Sequence, residues 1–209
     1  MIVIGCQEVS RNLKTARIAE LETYLNKQGF VNIEVSFNNM WEIFMIIFVK
    51  ERLATEVQSL KKTQIAKGKF GYVGNKGAVA YSFVFRNKIF NFIACHLQHG
   101  QFKAIARHTM MSELVREIKL QNAQTKLFKG LESDTYADYS FIFGDLNYRI
   151  NSTYMYLSRH MEECKDMNTE QLSIAMHNGY YPGYKEPPME WMPTYKCSFT
   201  DHGYADKKD

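Results

Sequence analysis

The sequence predicts an α/β or α+β sandwich in which helices lie outside two β-sheets. Three observations support this prediction. Short apolar runs recur along the chain, longer segments with helical spacing separate some of them, and other runs follow one another closely enough to form hairpins. The chain has 209 residues and 45% of them are hydrophobic, which suits one globular domain with a sizeable core.

The predicted strands are either continuously apolar or alternate between apolar and polar residues. They cover residues 1–5, 30–37, 41–49, 63–66, 78–85, 89–95 and 139–143. Apolar residues at helical spacing predict helices over residues 11–28, 102–128, 152–161 and 168–176. Gly29 and Gly179 follow two of these helices, as expected of residues that end a helix. Residues 180–196 contain all four prolines and predict an irregular loop.

A glycine-rich loop is predicted between two of the strands. Four glycines lie between Gly68 and Gly77, so the backbone amides can approach an anion closely, and Lys76 adds positive charge. The segment is not a Walker A loop, because neither Ser nor Thr follows its Gly-Lys pair and no helical pattern comes after it. The alternative is an ordinary hairpin loop.

The predicted buried strand 139–143 ends at Gly144, and Asp145 and Asn147 follow. If this segment stays extended, side chains 145 and 147 point the same way, because side chains alternate along a strand. A carboxylate there can orient or deprotonate a water, and an amide can hold an oxygen that gains charge. The alternative is an Asx turn, in which Asp and Asn only satisfy the backbone.

Further candidate residues also lie at strand ends or in the loops that follow them. Glu8 follows the first strand, His96 ends the strand over residues 89–95, and Arg107 falls in the first turns of the next helix. Tyr195 and Lys196 supply a phenol and an ammonium that can both hold phosphate oxygens. Loops at one edge of a sheet commonly carry functional sites, so we expect these residues to converge.

Composition excludes some classes of protein. The formal net charge of +4 suits an anionic substrate or an anionic membrane surface but is too small to indicate nucleic acid binding. The four cysteines lack metal-ligand spacing, and Cys6 and Cys95 lie in apolar runs, so we expect small buried side chains in a reducing compartment. The longest apolar run, residues 43–49, is too short to span a bilayer.

Taken in order, several short motifs resemble the catalytic domain of the inositol polyphosphate 5-phosphatases. The motifs are Gln7-Glu8, Gly-Asn-Lys-Gly-Ala-Val at 74–79, His96-Leu97, Gly-Asp-Leu-Asn-Tyr-Arg at 144–149 and Pro-Thr-Tyr-Lys at 193–196. Gly-Asp-x-Asn alone indicates only the wider superfamily of DNase I-like metal hydrolases. The other motifs are more specific to the phosphoinositide branch, and the resemblance extends over the whole chain.

The resemblance implies a four-layer α/β/β/α sandwich and Mg²⁺-dependent hydrolysis of the 5-phosphate of phosphoinositides, such as phosphatidylinositol 4,5-bisphosphate, or of soluble inositol polyphosphates. It implies that Glu8 binds Mg²⁺ and that Asp145 orients and activates the attacking water. Asn147 would stabilise the phosphoryl oxygens, and His96 would contact the phosphate or assist protonation. The residues expected to hold the inositol phosphates are Lys76, Arg107, Tyr148, Arg149, Tyr195 and Lys196, with Asn75 shaping the loop. We expect direct hydrolysis without a covalent phosphoenzyme, because no cysteine has an arginine six positions later and no Asp-x-Asp pair occurs.

The sequence also departs from the family pattern. We expect residues 1–209 to be a single catalytic domain that lacks the family's first strand and its C-terminal strands, which carry a catalytic Ser-Asp-His motif. Thr200-Asp201-His202 is not an equivalent, because it follows Lys196 too closely. An incomplete sandwich leaves sheet edges and apolar faces uncovered, so we expect a marginally stable or poorly soluble chain.

These departures leave alternatives to an active phosphatase. One is a catalytically impaired fragment that binds phosphoinositides, and another is a nuclease of the same superfamily, which the modest charge and the phosphoinositide-type loops disfavour. We expect a monomer without a nucleic acid partner. We also expect it to be cytoplasmic and in transient peripheral contact with membranes.

Overall fold

The structure, a computed structural model, describes residues 1–9, 11–35, 42–67, 75–123, 137–151 and 170–188. The chain divides into two compact units, residues 1–147 and residues 148–209. The strands are β1 (Ile2–Cys6), β2 (Phe30–Val35), β3 (Phe44–Lys50), β4 (Val57–Ala66), β5 (Gly77–Phe85), β6 (Lys88–His96) and β7 (Tyr139–Asp145). The helices are α1 (Arg11–Lys27), α2 (Ala104–Ala123) and α3 (Gln171–His177), with a 3-10 helix at Glu51–Glu56.

The strands of the first unit form two sheets. The first sheet has the order β1-β3-β2 and is antiparallel throughout. The second has the order β4-β5-β6-β7, in which β5 is antiparallel to both neighbours and β6 is parallel to β7. Parallel neighbours need a crossover connection, and helix α2 lies in the connection between β6 and β7. The carboxyl ends of β6 and β7 therefore lie side by side.

The core lies between the two sheets, and strand β3 explains why. Its side chains are buried on both faces, as a nearly continuous apolar run predicts. One face packs on the second sheet, and the fully buried side chains of this interface are Ile43, Met45, Ile47, Val79, Tyr81, Phe83 and Ala94. Such a core excludes water from both sheets and supplies most of the driving force for folding.

Two helices cover the outer faces. The alternate side chains of β3, Phe44, Ile46 and Phe48, pack against Ile18 and Leu25 of α1. Helix α2 contacts β4 and β5, and its buried face consists of Met110, Met111, Leu114 and Ile118 with Arg107 and His108. The first unit thus has the layers α1, first sheet, second sheet and α2, which confirms the predicted α/β/β/α sandwich.

A glycine allows β1 to pass close to the second sheet. A Cβ atom on Gly5 would lie 2.7 Å from Cε2 of Phe143 and 2.9 Å from Cβ of Ala94, so a larger residue would push the sheets apart. Strand β1 also contacts β6 and β7. The residues that follow β1 are thereby brought to the carboxyl ends of those two strands.

Several predicted boundaries and burial patterns needed correction. Strand β4 begins at Val57 rather than at residue 63, because its polar first half is ordered by pairing with β5 and not by apolar alternation. Strand β7 is not buried as predicted: Tyr139 and Phe141 are 49% and 47% exposed, because β7 is the outermost strand of the described sheet. Helix α2 begins at Ala104 rather than at residue 102.

Other predictions are confirmed or fall outside the described residues. The helix predicted over residues 168–176 is α3, and its first turn is capped by the Glu170 carboxylate, which accepts a hydrogen bond from the Ser173 amide. Cys95 is buried as predicted, whereas Cys6 is only half-buried. The glycine-rich loop up to residue 74, the helix predicted over 152–161 and residues 195–196 lie outside the described ranges. No helix in the described residues is long and apolar enough to cross a membrane.

Candidate active site

Strand register brings three of the candidate residues together. His96 pairs with Asp145 across the parallel strands β6 and β7, and Gly77 pairs with His96 on the other side, across β5 and β6. Lys76 directly precedes Gly77. Lys76, His96 and Asp145 therefore come from three neighbouring strands at one edge of the second sheet.

The imidazole of His96 is the centre of this cluster. Its Nε2 atom makes a hydrogen bond with Nζ of Lys76 and lies 3.4 Å from Oδ2 of Asp145 and 3.7 Å from Oε1 of Glu8. The His96 side chain is 1% exposed, whereas those of Asp145 and Glu8 are 47% and 71% exposed. Lys76 is also buried. The basic groups thus lie beneath two carboxylates that face solvent.

The electrostatics of the cluster keep Asp145 ionised. Its pKa is lowered by the hydrogen bond with His96 and also by the backbone N–H of Asn147, although burial opposes this. The pKa of Lys76 is lowered because burial disfavours the ammonium, and Asp145, Glu8 and Glu42 partly offset that loss. A carboxylate with a lowered pKa is a weak base, so Asp145 is better suited to orient a water than to deprotonate it fully.

The protonation of His96 links the two sides of the cluster. Nε2 can accept a hydrogen bond from the Lys76 ammonium when the imidazole is neutral, or donate one to Asp145 when it carries a proton there. It cannot do both at once. Lys76 and Asp145 therefore compete for one imidazole nitrogen, which places a hydrogen-bonding group that can act as donor or acceptor beside the Asp145 carboxylate.

Asp145 and Asn147 do not lie on an extended segment, and this prediction was wrong. Asn147 has a φ of +57°, and its backbone N–H donates to Oδ1 of Asp145 at 3.0 Å, which is an Asx turn. The Asn147 side-chain amide donates to the carbonyl oxygen of Leu97 at 3.1 Å. The turn leaves the second oxygen of Asp145, Oδ2, directed at His96. The same carboxylate therefore satisfies the backbone through one oxygen and faces the candidate site with the other.

Arg107 lies inside the protein rather than at the surface of the site. It is 0% exposed, and its Nη1 atom donates to the carbonyl oxygens of Gln98 at 3.0 Å and Gly100 at 2.8 Å. The neighbouring Leu97 accepts from Asn147 and donates its N–H to the Asp145 carbonyl oxygen at 2.9 Å. Arg107 therefore holds the loop on which the Asp145 turn rests. Its predicted contact with inositol phosphates stays a prediction.

The remaining predicted residues are not brought into this cluster by the described contacts. Asn75 follows the undescribed part of the glycine-rich loop, and its predicted shaping of that loop stays untested. Tyr148 and Arg149 belong to the second unit, where the Arg149 amide donates to Oε1 of Gln171 at 3.2 Å and Tyr148 hydrogen-bonds through its hydroxyl to Tyr181. Their role in holding phosphate, like that of Tyr195 and Lys196, stays a prediction.

The donor atoms suit a hard divalent cation. No group of three or more His, Cys, Asp or Glu side chains in the described ranges is arranged to hold a metal ion. Mg²⁺ typically needs only one or two carboxylates from the protein, since water and substrate phosphates complete its shell. Glu8 and Asp145 supply two carboxylates on the solvent side of His96, so the residues present fit Mg²⁺ better than a zinc site.

The thiol of Cys95 is not available as a nucleophile at this edge. Cys95 precedes His96, but burial raises the pKa of its thiol to about 12, which keeps it protonated. Sequence reasoning missed the direct contact between Lys76 and His96, because no local pattern joins residues on different strands. It also missed the positioning role of Leu97, which acts only through its backbone.

The fold and this edge define the class of protein. An α/β/β/α sandwich with acidic and basic groups converging at one edge, where β5, β6 and β7 are neighbours, fits the DNase I-like hydrolases that the sequence motifs indicate. The family model described as Endonuclease/Exonuclease/phosphatase family 2 matches residues 1–209. The chain belongs to this family.

Curated relatives confirm the resemblance to inositol polyphosphate 5-phosphatases. The chain is 29% identical over 179 residues to type IV inositol polyphosphate 5-phosphatase 7 of Arabidopsis thaliana, a match that covers 82% of this chain and 30% of the relative. It is 26% identical over 167 residues to phosphatidylinositol 3,4,5-trisphosphate 5-phosphatase 2B of Danio rerio, covering 78% of this chain and 13% of the relative. The chain thus spans about three tenths or less of the length of these relatives.

Solved structures confirm the fold. The inositol polyphosphate 5-phosphatase domain of SPsynaptojanin, crystallised with inositol (1,4)-bisphosphate and calcium ion, matches with a TM-score of 0.77 at 24% identity, over 98% of this chain and 61% of that one. Cimex nitrophorin, solved as a ferrous NO complex, matches with a TM-score of 0.73 at 16% identity, over 97% of this chain and 69% of that one. Because one fold serves both proteins, the function must be argued from the site.

Proposed function

We propose that this chain is part of the catalytic domain of an inositol polyphosphate 5-phosphatase. It removes the 5-phosphate from phosphoinositides such as phosphatidylinositol 4,5-bisphosphate, or from soluble inositol polyphosphates, with Mg²⁺ as cofactor. The observation that carries this proposal is the convergence of Lys76, Asp145 and Glu8 on Nε2 of His96. The names of the curated relatives favour the same reaction.

Each member of the cluster has a role that its environment supports. Asp145 is ionised and fixed by the Asx turn, so its Oδ2 oxygen orients a water for attack on phosphorus. Lys76 places positive charge against the phosphoryl oxygens, where charge increases in the transition state. His96, which contacts both of these groups, assists protonation of the departing inositol oxygen.

Glu8 and Asp145 would hold the cation. When bound, Mg²⁺ neutralises charge on the phosphoryl oxygens and polarises the phosphorus–oxygen bond. Glu8 adopts a φ of +57°, an uncommon backbone conformation that turns the chain immediately after β1. Such local strain is often found where a side chain must be aimed at a functional position.

The runner-up is a chain that binds phosphoinositides without hydrolysing them. The chain spans about three tenths of the length of the curated relative that it matches, so the activity of the whole relative is not carried over to it directly. In either case we propose a monomer that works in the cytoplasm, contacts membranes transiently and has no nucleic acid partner. The positive net charge of +4 is consistent with an anionic lipid surface.

The decisive experiment measures phosphate release from phosphatidylinositol 4,5-bisphosphate with and without Mg²⁺. The test variant is Asp145→Asn, which keeps an oxygen for the Asx turn and removes the charge. The control is Asp138→Asn, an identical change directly before the opposite end of β7, about 20 Å away at the rise per residue of a strand.

We expect Mg²⁺-dependent release that falls by about 10²-fold in Asp145→Asn, the loss that a misplaced reactant causes, and that persists in Asp138→Asn. Binding of the lipid without release by the folded wild-type chain would select the runner-up. Equal release by both variants would show that Asp145 has no part in the reaction.

A further inference from the structure

An apolar turn projects from the site edge of the second sheet. Residues 97–103 connect His96, at the carboxyl end of β6, to helix α2. Within and just after this connection, Phe102 is 96% exposed and Ile105 is 76% exposed, and Lys103 between them is also exposed. We call Phe102, Lys103 and Ile105 the projecting turn. Phe102 and Ile105 are the two most exposed large hydrophobic side chains in the described residues.

Hydrogen bonds within the loop and from Arg107 fix the conformation of the projecting turn. The Lys103 amide donates to the Gly100 carbonyl oxygen at 3.2 Å, and the Arg107 amide donates to the Lys103 carbonyl oxygen at 3.0 Å. The buried Arg107 guanidinium also binds the carbonyl oxygens of Gln98 and Gly100. Phe102 is therefore presented to solvent by an ordered turn, although hydrophobic side chains of this size usually gain free energy by burial.

The projecting turn lies near the proposed reaction centre. Phe102 follows His96 by only six positions, and six residues span at most about 20 Å even when fully extended. The turn at Gly100 shortens this reach. A lipid whose headgroup occupies the site at His96 keeps its acyl chains in the bilayer, so the bilayer surface must come close to the same edge of the sheet.

We propose that the projecting turn is the membrane-contacting element of this protein, a surface that fits an anionic lipid bilayer. Phe102 and Ile105 enter the interfacial region of the bilayer, where aromatic and aliphatic side chains are stabilised. Lys103, placed between them, pairs with lipid phosphates at the level of the headgroups. An apolar pair separated by a cation suits this boundary better than it suits a fully apolar protein groove. The inference rests on the proposed function because it locates the lipid relative to the site.

The test uses the whole 209-residue chain and two readouts. The first is sedimentation with vesicles of phosphatidylcholine, phosphatidylserine and phosphatidylinositol 4,5-bisphosphate. The second is phosphate release from those vesicles and, separately, from water-soluble inositol 1,4,5-trisphosphate. The variants are Phe102→Ser, the double variant with Ile105→Ser, and Lys103→Ala. The control is Tyr24→Ser, which removes a 63% exposed aromatic side chain from α1, on the far side of the sandwich.

We expect Phe102→Ser to weaken vesicle binding by about tenfold or more, because transfer of a phenyl side chain from water changes the equilibrium by at least that factor. Lys103→Ala should weaken it by about fivefold at low salt and less at high salt. Hydrolysis of inositol 1,4,5-trisphosphate should be unchanged in every variant, and Tyr24→Ser should match the wild type in both assays. Melting curves should coincide, because the replaced side chains are exposed.

The two proposals fail separately. Vesicle binding by Phe102→Ser equal to that of the wild type, or a wild-type chain that does not bind vesicles, overturns the membrane surface even if both substrates are hydrolysed. Loss of vesicle binding in Phe102→Ser, in a chain that hydrolyses neither substrate, supports the membrane surface and refutes the phosphatase. An equal loss of lipid and water-soluble hydrolysis in Phe102→Ser would instead place this residue within the reaction site and also overturn the membrane surface.

Discussion

Replacing Gly144 with alanine would show how tightly β6 and β7 must join to build the site. Gly144 has a φ of +117°, and a Cβ atom there would lie 2.3 Å from the carbonyl oxygen and 3.0 Å from the amide nitrogen of Cys95. It would also lie 3.0 Å from Nε2 of Gln7. The Cys95 atoms belong to the backbone of a central strand, so they cannot move aside without disturbing the sheet.

Two costs combine in this substitution. A residue other than glycine in a sparsely populated positive-φ region costs about 1–3 kcal/mol. Forcing an extra carbon into a packed region costs a further ~1–3 kcal/mol. The total of about 4 kcal/mol is a large part of the roughly 5–15 kcal/mol that stabilises a domain. Because His96–Asp145 is the next pair in register after Cys95–Gly144, relief of the clash should also separate His96 from Asp145.

Equilibrium urea unfolding measures the effect, with Gly29→Ala as a matched control. Gly29 also has a positive φ, +72°, but its added Cβ atom would meet nothing within 4 Å, so only the backbone cost of about 1–2 kcal/mol applies. We expect Gly144→Ala to lose about 2 kcal/mol more than Gly29→Ala, by the overpacking cost. An insoluble Gly144→Ala beside a soluble Gly29→Ala would agree with this. Equal losses would refute the argument from the Cys95 backbone.

Two further substitutions test the support of the site and the start of β6. Arg107→Met should lower the free energy of unfolding in urea by about 2–4 kcal/mol, because it removes a fully buried guanidinium and leaves half-buried loop carbonyls without their donor. Arg116→Met, on the exposed side of α2, should stay within about 0.5 kcal/mol of the wild type. Equal losses in the two variants would show that Arg107 does not hold the loop. Asp138 accepts hydrogen bonds from the Ile89 amide and from a lysine, and these hydrogen bonds lower the pKa of its carboxyl group. The ionised carboxylate therefore stabilises the folded state fully above its ordinary pKa near 4. This stabilisation is lost as the pH falls through the lower pKa of the folded state. Melting temperatures of the wild type and Asp138→Asn should therefore converge as the pH is lowered from about 7 to about 3, and a constant gap would contradict the assignment.

Much of the fold could be predicted because its central strands have simple patterns. Strand β3 is apolar at every position that the two neighbouring layers cover, so its sequence shows that it is buried on both faces. Strand β4 shows the limit of this reasoning. Its first half contains Gln58, Ser59 and Lys61, which carry no apolar alternation, and only pairing with β5 makes it a strand. Burial of β7 was overestimated because an apolar sequence does not show how many strands lie beyond it.

The candidate site was only partly predictable for a related reason. Asp145 and Asn147 could be recognised from a local motif, but the positive φ of Asn147 reversed the expected geometry. Arg107 has the charge of a phosphate ligand, yet its burial against the Gln98 carbonyl gives it a supporting position. Residue type indicates what a side chain can bind, whereas burial and neighbouring backbone groups determine what it does bind.

The sequence alone therefore determined the layered fold, the family resemblance and the set of residues with suitable chemistry, because patterning and motifs are local properties of the chain. The tertiary structure decided which of them meet. Lys76, His96 and Asp145 converge because β5, β6 and β7 pair in one particular register, and Glu8 joins them because β1 passes close to those strands. A shift of one residue in that register would turn His96 to the opposite face of the sheet, since side chains alternate along a strand.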